Sequence, residues 1–134
     1  MAKTPKLSLP AKARLILRIW RSYLRVVIRS RRPLPEQVRA LGAGPVRSGG
    51  AVMPDRLGRA IHRGLRLGPF APRCLPKAMV MYEILKEQGE APELVIGLPD
   101  QARSHEAHAW VELDLVDVGP PPGRAGHDEL VRYP

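Results

Sequence analysis

Cys74 and His108 are the two residues whose types and order suit thiol chemistry. Cys74 is the only cysteine, which excludes an intramolecular disulfide and any zinc site built on two thiolates. It stands directly before Leu75-Pro76-Lys77-Ala78, where Pro76 fits the first turn of a helix. A thiol at a helix N-terminus meets the positive end of the helix dipole, which favours the nucleophilic thiolate, and backbone N–H groups that suit a developing oxyanion. A lone cysteine is also a common core residue, and position alone leaves both readings open. His108 lies within Ala107-His108-Ala109-Trp110-Val111-Glu112. Strand alternation puts Ala107, Ala109, Val111 and Leu113 on one face and His108 with Trp110 on the other. An imidazole beside an aromatic ring is a suitable base for a thiol, and an exposed strand histidine is the plainer alternative.

The elements that must hold these two residues follow from periodicity. Leu75, Ala78, Met79, Tyr82 and Leu85 recur at helical spacing after Cys74, and Gly89 ends the pattern. Glu93 to Leu98 reads as a buried strand, 106–113 as a second and 115–118 as a third. Upstream, 11–30 reads as a helix with Leu15, Ile16, Ile19, Trp20, Tyr23, Val26 and Val27 as its apolar stripe and arginines over most of the rest. Pro33 and Pro35 stop it, Glu36 to Leu41 suits a short helical turn, and 42–54 reads as a Gly- and Pro-rich linker. A second basic helix is expected over 55–67, weakened by Gly58 and Gly64. The tail from Gly119 is hard to build into a core, which leaves open whether it completes the sheet. The expected class is α+β: basic N-terminal helices, then a Cys-bearing helix packed on a short antiparallel sheet. The expected division is a basic helical region and linker over 1–54 and a core over 55–134, within one compact domain.

Four blocks together resemble a known family. Cys74-Leu75-Pro76-Lys77-Ala78, Leu85-Lys86-Glu87-Gln88-Gly89, Leu94-Val95-Ile96-Gly97 and Ala107-His108-Ala109-Trp110-Val111-Glu112 look like the transglutaminase-like domain of lasso-peptide biosynthesis B proteins, in the same order. The resemblance covers residues 74 to about 114. It implies a papain-like cysteine peptidase that removes the leader from a ribosomally made precursor before a cyclase closes the macrolactam. Nothing before residue 74 reads as the family's leader-recognition module, so the resemblance is to the stand-alone peptidase form. The implied partners are the precursor leader, a separate recognition protein and the lasso cyclase, and no cofactor or metal is implied.

The family also carries an aspartate on the strand after the histidine motif. The corresponding positions here are Gly119 and Pro120, so the nearest candidates are Asp117 and Asp114. Parity favours Asp117, because Val116 and Val118 would face the core. Register argues the other way: a two-residue turn at Asp114-Leu115 sets Glu112 opposite Asp117, unless a bulge restores the contact with His108. The expected catalytic set is Cys74, His108 and Asp117, the alternative being that Asp114 and Asp117 are both turn and surface residues. His105 is taken as a loop histidine, His62 and His127 have no catalytic context, and a metal site from His105, Glu106 and His108 is discounted for its close spacing.

Charge divides the chain at Cys74. Residues 1–73 carry 17 Lys and Arg against two acids, Glu36 and Asp55, while 74–134 carry five against 11, for an overall charge of +9. The arginine-rich helix face suits a solvated surface, an anionic surface such as nucleic acid or membrane, or an acidic protein or leader, the last being preferred beside a peptidase. Aromatic residues make up 4% of the chain, too few for a base-stacking platform. No apolar run long enough to span a membrane and no signal peptide is read, so a cytoplasmic location is expected. Two other functions stay open: acyl transfer to an amine on the same fold, and a small basic nucleic-acid-binding protein with a structural cysteine.

Overall fold

The computed structural model describes residues 9–44, 46, 52–66, 73–99, 108–120 and 127–134. Four helices precede four strands: α1 Leu9–Ile28, α2 Leu34–Gly42, α3 Pro54–Gly64, α4 Cys74–Glu87, β1 Glu93–Pro99, β2 His108–Leu113, β3 Val116–Gly119 and β4 His127–Tyr133. The strands form one antiparallel sheet in the order β3-β2-β1-β4. The class is α+β, as expected.

The middle of the molecule is α4, whose residues from Lys77 to Leu85 are all buried. One side of it receives α1, α2 and α3, and the other lies against β1 and β2. A helix enclosed in this way needs apolar residues on more than one face, which explains Val80, Met81 and Ile84 alongside the expected stripe. Its C-terminus is a Schellman motif: Gly89, with φ of 85°, donates to the Lys86 carbonyl, and the Glu90 N–H donates to that of Leu85 at 3.0 Å. The Gln88 side-chain amide then clamps the backbone of Val52 from both sides, each bond 3.0 Å, and so fixes the entry to α3.

The buried stripe of α1 is narrower than its apolar content suggests. Leu15, Ile19, Ser22 and Val26 are buried, while Ile16 and Val27 are exposed. Two of its arginines turn inward to α4: Arg25 Nε donates to Glu83 Oε1 at 2.8 Å, and Arg18 pairs with Glu87 at 3.2 Å. Pro35 lies in the first turn of α2, so the proline expected only to stop one helix also opens the next. Gly58 costs α3 little because it is needed there: a Cβ would lie 3.1 Å from the Val118 carbonyl oxygen, where α3 meets β3.

The tail that looked hard to build into a core supplies β4, which pairs with β1 from Leu94↔Tyr133 to Pro99↔His127. Its sequence lacks clean alternation because Arg132 serves an ion-pair network instead of the core. Among the described residues no helix is long and apolar enough to cross a membrane.

Candidate active site

Cys74 is the first residue of α4 and is half-buried. The preceding Arg73 is extended (φ −67°, ψ 165°) and caps the helix without a side-chain hydrogen bond. The first turn also carries no acid, so no carboxylate there opposes the thiolate.

His108 is the first residue of β2, half-buried, and pairs opposite Gly97. Its ring Nδ1 is shielded from solvent. Connectivity sets it at the end of the sheet remote from the α4 C-terminus. The short link after α4 puts the helix C-terminus beside Glu93, and Glu93 pairs with Glu112 at the far end of β2. The start of β2 is thus at the end of the sheet away from the α4 C-terminus, and α4 itself packs against β1 and β2.

Asp117 is placed elsewhere. Asp114 and Leu115 form a two-residue turn with φ of 50° and 66°, and the register sets Asp117 opposite Glu112. The bulge in this pair falls between Val111 and Glu112 and leaves that pairing intact. Asp117 is exposed, and its Oδ1 accepts the Gly119 N–H at 2.9 Å. Glu112 is four residues, or about 13 Å along the strand, from His108. The register thus brings Asp117 to Glu112 and not to His108. Asp114 is an exposed turn residue. His105 and Glu106 lie outside the described residues, and no group of three metal-ligating side chains forms among those that are described.

Two residues beside Cys74 carry charge chemistry that the sequence did not reveal. Lys77, one helical turn beyond the thiol, is buried, and its Nζ lies 3.1 Å from Nδ1 of His62 on α3. Burial pushes the Lys77 amine below its ordinary value, the negative charge that Cys74 can carry pulls it back up, and Arg66 lowers it again. Burial also lowers the His62 imidazole, and Lys77, Arg66 and Arg63 push the same way. Lys77 could have been found from its spacing to Cys74. His62, read as having no catalytic context, arrives only through the packing of α3 on α4.

The strand bearing His108 is fixed through Trp110 and Glu112, which share its face of the sheet. Trp110 Nε1 donates to Glu112 Oε2 at 2.7 Å, and Arg132 Nη2 donates to Glu112 Oε1 at 3.0 Å. Arg132 also reaches Glu93 at 3.2 Å and pairs with Glu129. Its hydrogen bond to Glu129, then that to Glu112, raises its pKa above the ordinary arginine value. Trp110 is fully buried, and its ring lies against Gly97, where a Cβ would come within 2.6 Å of the ring and of the Asp128 carbonyl oxygen. The glycine that ends Leu94-Val95-Ile96-Gly97 therefore leaves the space that Trp110 fills, and it is itself the strand position opposite His108.

A thiol that opens a helix and an imidazole that opens a strand packed on it are the residue types that acyl transfer through a thioester needs. No curated protein and no solved structure gives a significant match to this chain. A family model does: that of the Transglutaminase-like superfamily matches residues 9–131, which takes in all four helices and nearly all of the sheet. The chain belongs to the transglutaminase-like superfamily.

Proposed function

We propose that this protein is a cysteine peptidase that removes the leader from a ribosomally synthesised lasso-peptide precursor, acting with a separate leader-recognition protein before the cyclase closes the macrolactam. The observation that supports the reading is Cys74 opening α4 and His108 opening β2, a strand on which that helix packs. Superfamily membership supports a cysteine-dependent enzyme, and the four sequence blocks support the lasso-peptide context.

In this reading His108 takes the Cys74 proton as Sγ attacks the scissile carbonyl carbon. The tetrahedral oxyanion receives the Cys74 backbone N–H, one of the donors at the helix start. Collapse breaks the C–N bond, His108 returns the proton to the leaving amine, and the leader stays on Sγ as a thioester. Water, deprotonated by His108, attacks the thioester, releases the leader as a carboxylic acid and regenerates the thiol.

The test is mass spectrometry of a lasso-type precursor incubated with this protein and a recognition protein. Peptidase action gives two fragments whose masses sum to the precursor plus one water, lost with Cys74→Ala. A product joined to an added amine identifies acyl transfer instead. An intact precursor with every partner present would overturn the peptidase assignment.

A further inference from the structure

A groove of about 630 Å³ lies between α1 and α3, lined by neither Cys74 nor His108 among the described residues. Its floor is Leu15, Ile16, Ala60 and Gly64, and its rim is Lys12, Arg56, Arg59 and Arg63. We propose that this groove binds an acidic amphipathic peptide segment, with apolar side chains on the floor and carboxylates along the rim.

Charge complementarity selects the occupant. Among the described residues the four charged side chains lining the groove are all cationic, and three of them, Lys12, Arg59 and Arg63, are exposed. The acid beside them, Asp55, meets Arg59 at 3.6 Å in a pair exposed on both sides. Such a pair contributes about 0–1 kcal/mol, so an incoming carboxylate can replace it. The floor separates a peptide from a nucleic acid. Ile16 is a large aliphatic side chain left 47% exposed between cations. A phosphate backbone has nothing to place on it, whereas an amphipathic segment covers it while meeting the arginines on both sides.

The same helix links the groove to the thiol. Arg63 faces the groove, and its neighbour His62 touches Lys77, one turn beyond Cys74. A segment seated here runs beside the helix that supports the reactive end. That this segment belongs to the cleaved peptide rests on the peptidase reading; the binding itself does not.

Binding is therefore tested without chemistry, on the full chain with Cys74→Ala, by fluorescence anisotropy at physiological ionic strength. The probe is a labelled amphipathic peptide of about four helical turns, with Glu on one face and Leu on the other. Arg59→Glu with Arg63→Glu should weaken it about tenfold or more, while Arg31→Glu with Arg32→Glu, exposed residues beyond α1, should change it less than about twofold. Ile16→Ser should weaken it about threefold or more, because the floor and not charge alone holds the peptide. The far-ultraviolet spectrum and melting temperature of each variant confirm that it is folded. Equal losses from both arginine pairs, indifference to Ile16→Ser, single-stranded DNA bound as tightly as the peptide, or no binding by the parent chain would each overturn the proposal. None of those results would touch the thiol mechanism.

Discussion

At the scale of single residues, His108 is the proposed base, and the register gives Asp117 no part in orienting it. His108→Ala should lower the cleavage rate about 10²–10⁴-fold. Asp117→Asn should change it less than about threefold, because its carboxylate bonds the Gly119 amide at the exposed edge of the sheet. Single-turnover rates of the two variants check this, and a loss with Asp117→Asn as large as that with His108→Ala would contradict it. His62 supplies a pH prediction. Burial, then the Lys77 ammonium 3.1 Å away, then Arg66 and Arg63, lower the His62 pKa below its usual 6.5. The unfolded chain takes that proton first, so stability falls as pH drops from 6.5 towards the lower folded value, and levels off below it. The melting temperature should drop across this window in the wild type and less so in His62→Gln; parallel curves would contradict it. Cys74 and His108 were legible because each sits in a short motif at the start of an element. His62 was not, because its partner is 15 positions away on another helix.

At the scale of elements, two contacts hold the thiol-bearing helix and the imidazole-bearing strand. The first is Arg25 on Glu83. Glu83 is buried on α4, so removing its cation strands a carboxylate out of water. Arg25→Met should cost about 1–3 kcal/mol, below the figure for a fully buried pair because Arg25 is partly exposed, and adding Glu83→Gln should recover much of it. Urea denaturation of the single and double variants measures this, and additive losses would argue against the pairing. The second contact is Trp110 on Gly97. Gly97→Ala should cost about 1–3 kcal/mol or more, because the new methyl meets backbone on one side and a buried ring on the other. Gly44→Ala, which meets nothing within 4 Å, serves as the near-neutral control. Helical periodicity carried α1, α3 and α4 through to the fold, even across Gly58. β4 was illegible because an edge strand whose Arg132 faces three carboxylates has no alternating apolar signal.

At the scale of the whole molecule, the division of charge at Cys74 becomes a feature of packing. Arg18 and Arg25 of the basic half lie on Glu83 and Glu87 of the acidic half, so part of the polarity is neutralised where α1 meets α4. The remaining positive charge at Lys12, Arg59 and Arg63 faces outward around the groove, away from that contact. The α+β class and the order of helix before sheet could be read from the chain, because each element has its own period. The inward turn of two arginines from an apparently solvated face could not, because it depends on acids about 60 residues away. The central claim is that acyl transfer passes through the Cys74 thiol, and acid quenching during turnover followed by intact-protein mass spectrometry tests it most directly. The account predicts an adduct of the leader's mass less one water, mapped to Cys74 and absent from Cys74→Ala; cleavage of the precursor by Cys74→Ala at the wild-type rate would contradict it.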